Sequence, residues 1–176
     1  MNAGQATATR TYLELTDRGA MRACGAPDGD VRVVRREQCD PEFWRHLYST
    51  VGEAYHWVDR LPWTDDEIRA YLADPVVSLW VLTVGGTVAG YFELRCDAAT
   101  GESSVEIAYF GLFPEYIGRG LGGYLLTEAV DRAWAGGARR VWLHTCSFDH
   151  PFAIQNYLDR GFTVFKIEQY VVGSPV

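Results

Sequence analysis

Gly118-Arg119-Gly120-Leu121-Gly122-Gly123 lies between the apolar run Val105 to Phe113 and the helix-like run Tyr124 to Ala135. Strand, glycine turn and helix start, in that order, present bare backbone N–H groups to an anion. Glycine lets the backbone approach a ligand closely and take left-handed dihedrals. A helix start adds about half a positive charge and several N–H donors that lack intrahelical partners. A phosphate-bearing ligand is the chemistry this stretch predicts. It also fits Gly-x-Gly-x-x-Gly, a dinucleotide fingerprint, but that reading wants an acid near the end of the next strand. The next strand candidate, Arg140 to Cys146, ends His144-Thr145-Cys146 with no acid. A P-loop fails because no Gly-Lys-Ser/Thr follows. A glycine turn without any ligand is the remaining alternative.

Proton-transfer groups are scattered along the chain. Glu106 sits in the strand before the glycine turn, on the same alternating face as Leu112. Glu93 belongs to the strand before that one. His144 lies inside an apolar strand and reads as a hydrogen-bonded core histidine. Cys146 follows closely, yet no Cys–His–acid nucleophile can be assembled around it. Cys24, Cys39, Cys96 and Cys146 share neither C-x-x-C spacing nor a metal-ligand grouping, so they read as reduced thiols with no metal.

Composition narrows the class. A chain of 176 residues, 48% hydrophobic and with six Trp, suits one globular domain. The net charge of −7 argues against nucleic acid as a partner and is compatible with a cationic small molecule. No apolar run reaches membrane-span length. Residues 1–10 read as a flexible tail without an apolar secretory segment, and 11–176 as a single domain. These features predict a cytoplasmic protein.

The elements that must hold these groups can be read in order. Tyr12 to Leu15 and Val31 to Val34 are short strands around a polar loop. Asp40-Pro41 starts a helix whose Trp44, Leu47, Tyr48 and Val51 repeat at helical spacing. Thr64-Asp65-Asp66-Glu67 is a capping box opening a second helix that Pro75 ends. Between them runs Gly52 to Trp63, dense in aromatics and charges. Val76 to Val84, Gly85-Gly86 and Thr87 to Leu94 form a hairpin, followed by a polar turn at Asp97 to Gly101. Ser104 to Leu112 continues antiparallel. Arg140 to Cys146, a short helix from Phe152 to Asp159 and a last strand from Phe162 to Val172 complete the chain. From Val31 the order β-α-α-β-β-β-α-β-α-β predicts an α/β fold, one mixed, mostly antiparallel sheet flanked by helices.

Two motifs in this order resemble the GCN5-related N-acetyltransferase (GNAT) superfamily over roughly Val31 to Val172. Leu112-Phe113-Pro114 stands for its V-x-P. Ile117-Gly118-Arg119-Gly120-Leu121-Gly122 stands for its Q/R-x-x-G-x-G/A, with Ile117 replacing Gln or Arg. His150 to Phe162 follows N-x-x-A-x-x-x-Y-x-x-x-G-F through Ala153, Tyr157, Gly161 and Phe162, with His150 replacing Asn.

The resemblance implies a GNAT-type fold and an enzyme that passes acetyl from acetyl-CoA directly to a primary amine of a small molecule. It implies that Leu112, Phe113, Gly118, Arg119, Gly120, Gly122 and Gly123 hold the cofactor arm, with Asn156 able to stand in for the family Asn that His150 replaces. Backbone N–H near Leu112 would polarise the carbonyl. Glu106 would take the amine proton and Tyr157 would protonate the CoA thiolate, a phenol pKa near 10 being close to that of the thiol. Glu93 is the alternative base or a binding group for a cationic acceptor. Tyr55, His56, Trp57 and Tyr109 would shape the acceptor pocket, and a homodimer fits the superfamily. Protein or peptide acetylation, and an acyl-CoA sensor without catalysis, are the competing functions.

Overall fold

The computed structural model describes residues 7–97 and 103–172; residues 1–6 of the predicted tail and 98–101 of the predicted turn lie outside the described residues. Among the described residues seven strands form one sheet: β1 (Thr7–Leu15), β2 (Val31–Arg35), β3 (Val77–Val84), β4 (Thr87–Asp97), β5 (Ser104–Leu112), β6 (Arg140–Cys146) and β7 (Thr163–Val171). Their spatial order is β2-β3-β4-β5-β6-β1-β7. Neighbours are antiparallel except β5 and β6, which run parallel.

Local chemistry accounts for the helices. In α1 (Pro41–Gly52) the Asp40 side chain accepts from the Phe43 N–H at 2.9 Å, and Pro41 occupies the first turn, where its missing N–H is not needed. In α2 (Asp65–Ala73) Thr64 and Glu67 close a reciprocal capping box. The β3–β4 hairpin turns on Gly85 and Gly86, both at positive φ, as a two-residue turn between twisted strands requires. The remaining helices are α3 (Leu121–Ala135) and α4 (Ala153–Asp159).

Each face of the sheet buries its own cluster. Trp44, Leu47, Tyr48 and Val51 of α1 and Ile68 of α2 meet Leu79, Val81 and Tyr91 on one face. On the other, Leu125, Leu126, Ala129 and Val130 of α3, with Tyr157 of α4, meet Leu13, Phe92, Val105, Ile107, Val141 and Leu143.

One boundary differs from the sequence reading. Thr7 to Arg10 belong to β1, where Thr7 to Arg10 pair with β7 and Arg10 also pairs with Cys146. Ala8 is buried, so this polar, Thr-rich segment is ordered by its partners and not by its own hydrophobicity.

Candidate active site

β5 and β6 pair only from Ser104 to Glu106 against Arg140 to Trp142. Beyond that point the two strands part, and β5 continues alone to Leu112. A bulge accompanies the divergence: Glu93 faces Tyr109 while Leu94 faces Ile107, which leaves Ala108 as an extra residue on β5. An extra residue bends its strand and reverses the alternation of faces. Val105 and Ile107 therefore share the α3 side with Phe110 and Leu112, while Tyr109 packs in the α1–α2 cluster. Glu106 consequently lies on the α1–α2 face, opposite Leu112, which corrects the same-face expectation.

The Phe113 N–H donates to the Ala89 carbonyl at 2.8 Å. This makes Gly90 and Leu112 a pair that does not exchange hydrogen bonds. By alternation the N–H and C=O of Leu112 and of Phe110 point away from β4, into the opening beside β6. An extended ligand can add there as a strand would. Phe113 itself is turned elsewhere: its N–H is taken, and its ring is buried with α1 and meets His46 edge-on at 5.4 Å. It packs the scaffold and does not face the opening.

The glycine turn lies at the end of that edge. Gly118 and Gly120 have φ of 80° and 75°, a region other residues rarely enter, and open space surrounds both. Among the described residues no side chain caps the N-terminus of α3, so the N–H groups of its first turn are available to an anion. A Cβ on Gly122 would lie 3.6 Å from Asn156 Nδ2 and 3.9 Å from Leu112 Cδ1, which places the Asn156 amide beside this turn. Gly123 differs, since a Cβ there would meet Cys24 Sγ at 3.0 Å and Arg160 Nη1 at 3.2 Å. Its missing side chain serves packing. Arg119 is exposed and lies over the Tyr116 ring at 5.0 Å. His150 accepts from the Phe152 N–H at 3.2 Å and meets the Tyr55 ring, so it is spent on the approach to α4.

On the opposite face the segment between α1 and α2 crosses the mouth of the opening. Trp57 packs edge-on against Tyr109 of β5, with ring centres 4.9 Å apart, and His56 meets Phe148, just past β6, at 5.2 Å. Arg60 anchors this segment. Its guanidinium lies 2.8 Å from Glu93 Oε2 and within 4.8 Å of the Tyr109, Tyr71 and Trp63 ring centres. Glu93 is fully buried and also accepts from Trp44 Nε1 at 2.8 Å and the Tyr71 hydroxyl at 2.7 Å. With both oxygens engaged and no exposure, Glu93 holds the α1–α2 segment to the sheet and presents no free oxygen to the mouth.

Glu106 keeps a side-chain exposure of 16% at the mouth, and burial raises its pKa, with Arg95 and Arg60 opposing. His144 Nδ1 lies 3.9 Å from Glu106 Oε1, and its side chain is 37% exposed. Val141, Leu143 and Thr145 take the buried side of β6, so His144 faces the mouth and is not a core histidine. That alternation is present in the sequence. Tyr157 is buried under the opening, its ring 6.1 Å from Phe110 and 6.3 Å from Phe162. Burial, and then Asp149, push its pKa well above that of a free phenol. It is therefore a weaker acid than the match to a free phenol and a thiol implies.

An open strand edge leading into an uncapped glycine turn suits an extended ligand that carries a phosphate group. Residues 39–162 match the Acetyltransferase (GNAT) family. The chain belongs to this family. It is 32% identical over 140 residues to a mycothiol acetyltransferase of Corynebacterium aurimucosum, covering 73% of this chain and 44% of that protein. A Bacillus subtilis protein named as a ribosomal protein bS18 alanine N-acetyltransferase is 29% identical over 122 residues, covering 69% of this chain and 72% of that one. Among solved structures, a GCN5-related N-acetyltransferase from Kribbella flavida superposes with a TM-score of 0.62 at 19% identity, covering 89% of this chain and 54% of the other. The chain thus spans about half the length of the mycothiol acetyltransferase and of the Kribbella protein. The GNAT fold expected from the two motifs is the fold observed.

Proposed function

We propose that this GNAT chain transfers acetyl from acetyl-CoA to the primary amine of a small cationic molecule by direct attack in a ternary complex. The observation that carries the reading is the mouth between β5 and β6. It holds a carboxylate, Glu106, and is lined by Trp57 and Tyr109, with Asp59 near enough to act on both Tyr109 and His144. Acidic groups beside aromatic faces suit an ammonium group. The His56–Phe148 contact bridges the mouth, which favours a short acceptor over an extended chain.

In this reading the glycine turn and the first turn of α3 take the pyrophosphate, and Asn156 adds a side-chain donor. The free N–H of Leu112 holds the pantetheine arm. The N–H of Phe110 polarises the thioester carbonyl, because it is two residues, roughly 6–7 Å of strand, nearer Glu106, and the Phe110 ring packs edge-on against that of Tyr157. Glu106 removes the amine proton, and the neutral nitrogen attacks the carbonyl carbon. The carbon–sulfur bond then breaks while the Tyr157 hydroxyl donates a hydrogen bond to the departing sulfur, and the second proton, which the nitrogen sheds as it becomes an amide, reaches the thiolate through water to give the free thiol.

The test is acetyl-CoA-dependent release of free thiol with spermidine, glucosamine, phenethylamine, an aminoglycoside and a peptide with N-terminal alanine. Saturable release with a small amine supports the proposal. Release with the peptide alone would select peptide acetylation, the reading favoured by the Bacillus relative's name. Tight acetyl-CoA binding with no release from any amine would select a sensor.

A further inference from the structure

We propose that His144 is the outer member of a proton relay whose inner member is Glu106. The inference rests on the functional reading above and goes beyond it, since Glu106 alone suffices to abstract a proton. Three observations support it. The two side chains project from adjacent strands, β5 and β6, where those strands begin to part, and their nearest atoms are 3.9 Å apart. That gap is closed by a small rotation of either side chain or by one bridging water. Exposure rises outward, from 16% at Glu106 to 37% at His144, so the imidazole connects the enclosed carboxylate to solvent. The surroundings also bring the two groups toward equal proton affinity. Burial raises the Glu106 pKa, while burial and Arg10 lower that of His144. A proton passes most easily between groups of matched affinity.

The groups facing His144 come from five elements. Glu106 stands on β5, Arg10 and Tyr12 on β1, Asp149 after β6, Asp59 on the loop from α1, and Glu168 on β7. Tyr12 supports the imidazole, with ring centres 5.6 Å apart. In the relay the ammonium loses a proton to a Glu106 oxygen, leaving its electron pair on nitrogen. Glu106 passes the proton to Nδ1 of the neutral imidazole, and the imidazolium returns one to water. Proton and charge balance at each transfer, and Glu106 is ionised again for the next amine.

Two measurements test this. The first needs no turnover, so its failure is distinct from failure of the functional reading: the His144 imidazole is titrated by NMR in the full chain saturated with acetyl-CoA. Charges this close interact strongly, so Glu106→Gln should lower the His144 midpoint by about one pH unit. An unchanged midpoint would overturn the relay. The second uses the best acceptor among the five amines named above. His144→Ala should reduce kcat on the order of tenfold once the pH is high enough for the wild-type imidazole to be neutral, with a smaller loss at low pH where that imidazole is already protonated, and free imidazole should restore much of the loss. His144→Ala at the wild-type rate, or a loss that imidazole leaves untouched, would also overturn it.

Discussion

Glu93→Ala should be among the most destabilising substitutions in the chain, and its damage to function should fall on the acceptor side alone. The carboxylate is fully buried and takes three hydrogen bonds of 2.7–2.8 Å, from Trp44, Arg60 and Tyr71. Removing it strands the Arg60 charge, whose side chain is only 10% exposed, and leaves an indole N–H and a phenol without their acceptor. Losing one member of a buried ion pair typically costs about 3–5 kcal/mol. For a domain of this size that corresponds to a fall of roughly 6–20 °C in Tm. Glu93→Gln keeps the shape and one acceptor, so it should lose about half as much. Replacing the pair together, as Arg60→Met with Glu93→Leu, should recover part of the stability, because the desolvation of two charges is then also avoided while the Trp44 indole and the Tyr71 hydroxyl still lack their acceptor. Urea unfolding followed by tryptophan fluorescence measures all three, with stacked Trp44 and Trp63 at the network as reporters. In the folded fraction the amine KM should rise while acetyl-CoA affinity holds, since the glycine turn lies on a separate element. Two results would refute the reasoning: a loss below about 1 kcal/mol, the range of exposed pairs, or a stable Glu93→Ala protein that no longer binds acetyl-CoA.

Other substitutions separate the parts of the site. Gly120→Val places a branched side chain at positive φ on the phosphate approach, and calorimetry should show acetyl-CoA affinity down at least tenfold, about 1.4 kcal/mol. Tyr157→Phe retains the ring packing and removes one hydrogen bond to a developing anion. It should lower kcat by an amount equivalent to about 1.5–3 kcal/mol at near-native stability, and a wild-type rate would make Tyr157 a packing residue. Gly52→Ala would put a Cβ 2.5 Å from the Trp57 Cβ. Overpacking there should cost about 1–3 kcal/mol in denaturation and raise the amine KM by displacing Trp57 from Tyr109.

What can be read from the sequence is local. Asp40-Pro41, the Thr64–Glu67 box and Gly85-Gly86 act within four residues of themselves, and the structure places α1, α2 and the hairpin where those signals do. The glycine turn is legible for the same reason, because its backbone demands glycine whatever surrounds it. The Ala108 bulge leaves no mark, since neither glycine nor proline signals it, and without it Glu106 falls on the wrong face. Glu93 is illegible in another way. Its partners lie 22, 33 and 49 residues distant, so only the folded sheet shows that its charge is already matched. His144 is the instructive miss. The alternation of Val141, Leu143 and Thr145 is enough to turn it out of the core, and its phase on the strand outweighs its apolar neighbourhood.

The most direct test of the account is Glu106→Gln, assayed with the best amine across pH and titrated with acetyl-CoA by calorimetry. The wild-type acid limb of kcat/KM should fall above the usual glutamate range, because burial raises the Glu106 pKa and the base works only once ionised. Glu106→Gln should bind acetyl-CoA as the wild type does, lose roughly 10²–10⁴ in kcat at neutral pH, and recover part of that as rising pH deprotonates the amine in solution. A Glu106→Gln enzyme running at the wild-type rate at neutral pH, with its acid limb unmoved, would contradict the account.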